Sequence, residues 1–187
     1  MTLSIGQTTW NLFPDNAEPG QPADCTYNEI GSFTASSVIN PGCVCIVDST
    51  GLQAQQLTVA SGTDTYPAGT LGIAALRSAR ESSGSYGVNA YGIGGLAYQV
   101  GETVPVLLRG RIYASWAGDG AQPVFAAPAG IYASSTNTAL QGVFTSKSAQ
   151  TTAGSEIVTC PNVFRGRQAE ANTSPYILLD VNIPGSV

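Results

Sequence analysis

The sequence predicts an all-β fold, a β-barrel or jelly-roll-like sandwich of about nine short strands preceded by an extended N-terminal arm. Three observations carry that prediction. Short apolar or alternating runs recur along the chain at about 8–15-residue spacing. The 22 glycines and 11 prolines punctuate them without a fixed period, so neither a solenoid nor a propeller is indicated. The segment Val104 to Ala114 alternates over its whole length. Hydrophobic residues make up 43% of the 187, enough to bury one sizeable core and too many for a disordered chain.

The elements follow in order. Residues 1–26 read as the arm, with Trp10 and Phe13 ahead of Pro14, Pro19 and Pro22. Proline fixes φ and biases the preceding residue away from helix, which keeps such a stretch extended. Its two large apolar side chains suit a docking arm; the alternative is a floppy tail. Residues 27–187 form the single β domain, and strand signals begin in earnest after Val38. Cys43 to Val47 runs into the turn Asp48-Ser-Thr-Gly51, followed by strands over Gln53–Val59 and Leu71–Leu76. Ile73 to Ser82 is the one stretch where a helix could fit, and strand is the reading adopted. Leu96 to Val100 is the next strand.

Val104 to Ala114 is the clearest strand. Its even positions are Val104, Val106, Leu108, Gly110, Ile112 and Ala114, its odd ones Pro105, Leu107, Arg109, Arg111 and Tyr113. Period-two alternation predicts one buried and one exposed face. Shorter strands are predicted at Pro123–Ala127, Gly130–Ser134, Leu140–Phe144 and Glu156–Cys160. The last, Tyr176 to Ile183, places Ile177, Leu179, Val181 and Ile183 on one face.

Charge is scarce. Seven Lys and Arg and twelve Asp and Glu make 10% of the chain, against roughly 25% in an ordinary soluble domain. A lone globule keeps itself soluble with mixed surface charge, so this balance points to a subunit whose surface largely faces another protein. A net charge of −5 speaks against nucleic acid, whose phosphates need clustered cations. No apolar run is long enough for a membrane-spanning helix, so no membrane partner is expected. The first residues lack the basic-then-apolar order of a secretory signal. The four cysteines, Cys25, Cys43, Cys45 and Cys160, are therefore expected to stay reduced and to act as small buried apolar residues. Their spacing lacks the paired C-x-x-C of a zinc site.

Catalytic motifs are mostly missing. There is no histidine, which excludes Ser-His-Asp and Cys-His nucleophile sites and histidine-ligated metals. Lys147, the one lysine, sits in a Ser/Thr/Gln-rich loop and reads as a solvated surface charge. Gly92-Ile-Gly94-Gly-Leu-Ala97 fits a dinucleotide fingerprint in letters only, because strand and turn, not helix, follow it. Asn172-Thr-Ser174 matches a glycosylation sequon by chance. The acids are scattered singly. The reading is a protein without enzymatic activity, cofactor or metal. Arginine alone looks placed: Arg109-Gly-Arg111 and Arg165-Gly-Arg167 each put two guanidinium groups on one strand face. Such forks suit carboxylates at a protein interface; ordinary solvated charge is the alternative.

The order of turns and strands resembles a known family. Asn40-Pro-Gly42 leads into Cys43–Val47 and Asp48-Ser-Thr-Gly51. Gly72-Ile-Ala follows, then Tyr98-Gln-Val-Gly-Glu-Thr-Val-Pro-Val106, Gly110-Arg-Ile-Tyr113 and Ala126-Ala-Pro-Ala-Gly130. From Ile39 to Ile183 this is similar to the small all-β cement, or capsid decoration, proteins of tailed bacteriophages. The resemblance implies a structural virion protein, made in the host cytoplasm and often homotrimeric. It would sit on the outer capsid surface where it binds the major capsid protein and stabilises contacts between its subunits. Trp10, Phe13, Arg109, Arg111, Arg165 and Arg167 are the candidate capsid or neighbour contacts. A tail, fibre or minor capsid component is the alternative within the virion. A glycan-binding β-domain is the alternative outside it, with Trp10, Trp116 and Tyr113 as its only aromatic hints.

Overall fold

A computed structural model describes residues 19–23, 28–59, 70–76, 87–88, 94–95, 97–133, 140–150, 156–167 and 176–182. These hold twelve strands and no helix: β1 (Glu29–Ala35), β2 (Val44–Val47), β3 (Gln53–Gln56), β4 (Thr70–Ala74), β5 (Gly87–Val88), β6 (Gly94–Gly95), β7 (Thr103–Ser115), β8 (Gly130–Tyr132), β9 (Phe144–Thr145), β10 (Ile157–Thr159), β11 (Phe164–Gly166) and β12 (Tyr176–Asn182).

Five strands close into a small barrel in the order β1-β3-β2-β4-β7, with β7 returning to β1. The β1–β3 pair is parallel and the others antiparallel. All five strands point residues inward, namely Phe33 and Ala35, Cys45 and Val47, Ala54, Ala74, and Val104, Val106 and Leu108, with Ile39 and Tyr98 packed among them. Five strands enclose little space, so Ala35, Cys45, Ala54 and Ala74 leave the room that Tyr98, Ile39 and Leu108 fill. Gly72 belongs to the same logic: a Cβ there would collide with Val106 Cγ1.

The outer face of β2, β4 and β7 is buried as well. Beyond β7 the sheet continues through β12 to β11, and a second sheet, β10-β8-β9, lies over it. The layer between holds Val44, Ile46, Ile73, Leu107, Ile112, Trp116, Ile131, Phe144, Phe164, Ile177 and Leu179. Phe144 and Phe164 meet edge to face at 5.3 Å. β5 and β6 pair as a separate ribbon, so Gly94 of the glycine motif is in a strand.

Several predicted elements are corrected. β7 does not have one buried and one exposed face: Val106, Leu107 and Leu108 are all buried, as are Ile112, Tyr113 and Ala114. Both sides of the strand are covered, one by the barrel and one by the outer layer. The inward parity also switches along it, because Leu107 shares its cluster with Ile112 and Ala114. Pro123–Ala127 is bent rather than extended, with Phe125 at φ 53°. Leu140–Gln141 is a turn that leads into β9, and in 97–100 only Tyr98 pairs, as a bridge to Ile39. β1 and β11 were not anticipated. The possible helix over 73–82 begins in β4, and its residues from 77 lie outside those described.

The described part of the N-terminal region is tied to the body. Pro22 bridges Ile112 on the edge of β7 opposite β12. The amide of Gly20 donates to Tyr113 O (2.6 Å), that of Tyr113 to Gln21 O (3.0 Å) and that of Ala23 to Arg111 O (3.0 Å).

Candidate functional site

The two Arg-Gly-Arg pairs meet on one face. The reason begins at Gly110, which has φ 130° and no room for a side chain, since a Cβ would strike Asn28 Oδ1. The β1–β7 register slips here, with Glu29 opposite Arg109 but Ile30 opposite Leu107. Such a bulge re-aims the strand. Asn28 Oδ1 accepts the Arg111 amide at 3.2 Å and holds the kink. Past it, β7 leaves the barrel and pairs with β12, setting Arg111 opposite Asp180 and Arg109 opposite Asn182. β11 in turn sets Arg165 opposite Asp180. Paired residues share a face, so register over three strands gathers all four arginines.

Asp180 organises them. Arg111 Nε donates to its Oδ1 at 2.9 Å and Arg167 Nε reaches its Oδ2 at 3.2 Å. All three side chains are about a third exposed, so the pairs orient the guanidinium groups more than they stabilise the fold. Arg109 and Arg165 are exposed, and no ion pair among the described residues reaches either. Asp180, and Glu29 opposite Arg109, set two carboxylates against four guanidinium groups, which leaves the face positive. Beside it, Val124 and Phe125 are 50% and 67% exposed. Their loop is fixed to β11 by the Phe125 amide on Gly166 O (2.8 Å) and the Gly166 amide on Ala126 O (2.9 Å). The Arg167 guanidinium lies 6.0 Å from the centre of the Phe125 ring. A charged fork beside an exposed aromatic is chemistry that binds protein surfaces.

Asp180 was readable as the one charge in an otherwise apolar strand, but not as the hub. Phe125 was assigned to a strand and missed as a surface residue. Trp10 and Phe13 lie outside the described residues. Tyr113 and Trp116 are core residues, at 2% and 1% exposure, so they offer no platform to a sugar.

The remaining polar groups serve structure. Asp119 Oδ2 accepts from the Thr145 hydroxyl and, at 3.3 Å, from Tyr132 OH. Its Oδ1 accepts from the Ser146 amide at 3.0 Å and the Ser146 hydroxyl at 3.1 Å. Burial alone would raise this carboxyl, but those hydrogen bonds and the Lys147 charge at 3.9 Å outweigh it and hold it below its ordinary value. Lys147 also donates to Tyr132 OH at 3.3 Å, so it is a tether of this loop and not merely a solvated charge. Cys43, Cys45 and Cys160 are buried free thiols. Desolvation pushes Cys43 up to about 12 against the lowering bond from Ser115, and drives Cys45 and Cys160 higher still. Thiols so protonated are poor nucleophiles.

Against known families, the model described as "Structural cement protein (E217 gp24/Pam3 gp6)" matches residues 6–174. The chain belongs to this phage cement family. Its role is structural, as a cement or decoration component of the capsid. A chain in the solved capsid of Myoviridae phage XM1 has the same fold, with a TM-score of 0.56 at 14% identity over 94% of this chain and 98% of that one. Among curated proteins no relative matches by sequence. As a cement protein it is associated with the virion and binds capsid components.

Proposed function

We propose that this cement protein sits on the outer surface of a tailed-phage capsid, binds the major capsid protein, and stabilises contacts between neighbouring capsid subunits. The observation that carries this reading is the match of residues 6–174 to the structural cement family; the exposed arginine face with its Val124–Phe125 ledge adds a surface equipped for contact with another protein. Cementing follows from linkage: a protein that binds the assembled shell better than loose subunits stabilises the shell by mass action, and many copies add avidity. In this reading it is made in the host cytoplasm, acts as a homotrimer, catalyses nothing, and needs neither nucleic acid nor membrane. Residues 1–26 act as an arm on the body 27–187, with Trp10 and Phe13 as anchors, since buried aromatic residues dominate interface energies.

The test is re-decoration of shells assembled without this protein. Full-length protein should bind the outer surface in threefold clusters and raise the temperature at which shells rupture. Trp10→Ala with Phe13→Ala should lose roughly 2 kcal/mol or more per copy, read as occupancy at fixed concentration. A cryo-EM map showing lone copies at general positions, or density inside the shell, would overturn the reading.

A further inference from the structure

Charge is segregated along this chain. The first lysine or arginine is Arg77, and six acids precede it: Asp15, Glu18, Asp24, Glu29, Asp48 and Asp64. Four of the seven cations then converge on the face of β7, β12 and β11. With Asp180 and Glu29 set among them, the rest of the protein is left with three cations against ten acids. A molecule with one positive face and an acidic remainder is complementary to itself, and the contact it makes is head to tail. Such heterologous contacts generate closed rings when the rotation returns on itself.

The complementarity extends beyond charge. On the face, the exposed Phe125 and Val124 adjoin Arg167 and Arg165. In the N-terminal sequence, Trp10 and Phe13 are followed at once by Asp15 and Glu18, with no cation among them. An aromatic-then-acidic segment matches an apolar-then-basic socket, and Asp180 already shows how these guanidinium groups hold a carboxylate.

We propose that the arginine face is the socket for the acidic N-terminal segment of a second copy of this chain, so that copies join head to tail through Asp15 and Glu18 against Arg109 and Arg165. This rests on the trimeric cement reading and names the surface that builds the trimer. Exposed charges of this kind steer and register a contact, and salt weakens it.

The experiment is a charge swap in the full-length protein. One variant carries Arg109→Glu and Arg165→Glu, the other Asp15→Arg and Glu18→Arg; unchanged thermal melts confirm that both fold. Mass by sedimentation and occupancy on undecorated shells are read for each variant alone and for their mixture. Each variant alone should lose at least tenfold in self-association or occupancy, because like charges then meet at every contact. The mixture should recover part of both, because each segment finds an opposite socket on the other variant while a ring of three keeps one like-charged contact; all four substitutions in one chain, which restore every contact, should recover both in full. A mixture no better than its parts overturns the proposal, including the case of a segment docking on its own body. If only the socket variant loses occupancy, and mixing does not restore it, the face belongs to the capsid protein; the proposal fails and the cement reading stands. Unchanged mass and occupancy in both variants removes the face from any contact.

Discussion

The barrel and the layer outside it share three strands but are packed by opposite means. Inside, glycine, alanine, cysteine and valine line a space that five strands leave narrow and that Tyr98, Ile39 and Leu108 complete. Outside, Trp116, Phe144, Phe164 and a set of isoleucines fill a broad gap between two sheets. The inner packing is limited by clearance, and the outer by volume to be filled. The same strand therefore tolerates different errors on its two faces.

The largest expected effect is a void in the outer layer. Trp116→Ala should destabilise the fold by about 3–5 kcal/mol, the range for deleting a large buried aromatic, measured by chemical denaturation. Inside the barrel the damaging change is addition. Gly72→Ala should cost about 1–3 kcal/mol by overpacking against Val106. Val106→Ala in the same chain should recover part of that loss, a coupling that a double-mutant cycle reads directly. If Gly72→Ala is neutral, the barrel is not limited by clearance.

The smallest effect is electrostatic. The sheet outside the barrel is tied by Asp119. Because the folded Asp119 carboxyl is held below its ordinary value, its contribution is complete above the unfolded carboxylate range near 4. It is lost as pH falls through the lower folded value. Asp119→Asn should cost about 1 kcal/mol at neutral pH and flatten the fall in stability between about pH 5 and pH 3. An acid-unfolding curve with the same slope in both proteins would assign that slope elsewhere.

These two packing regimes also decide what could be read from the chain. β12 was legible because its outer-layer face is a plain run of Ile177, Leu179 and Val181. β1 was not, because its less exposed positions are Glu29, Gly31, Phe33 and Ala35, which give no apolar alternation. β7 was found, but its parity switch was hidden in Gly110, which looks in sequence like any small residue on the inward face. Pro123–Ala127 was mistaken for a strand because its apolar content serves an exposed ledge. The site divides in the same way. Each Arg-Gly-Arg pair could be placed on one face from spacing alone. Their union could not, since it depends on the register that aligns β7, β12 and β11 around Asp180, set by contacts far apart in sequence.

The root of the N-terminal region has a mechanical consequence. Pro22 bridges β7, and the amides of Gly20, Tyr113 and Ala23 link the two backbones rung by rung, with the Leu76 amide adding a bond to Gly20 O from the side. A pull along β7, as when a pressurised shell strains against whatever holds that segment, loads these rungs together in shear. Yielding then requires several hydrogen bonds to break at once, whereas a pull across the strand would part them singly. The joint is stiff in one direction and weak in another, so the direction of a load decides whether it holds.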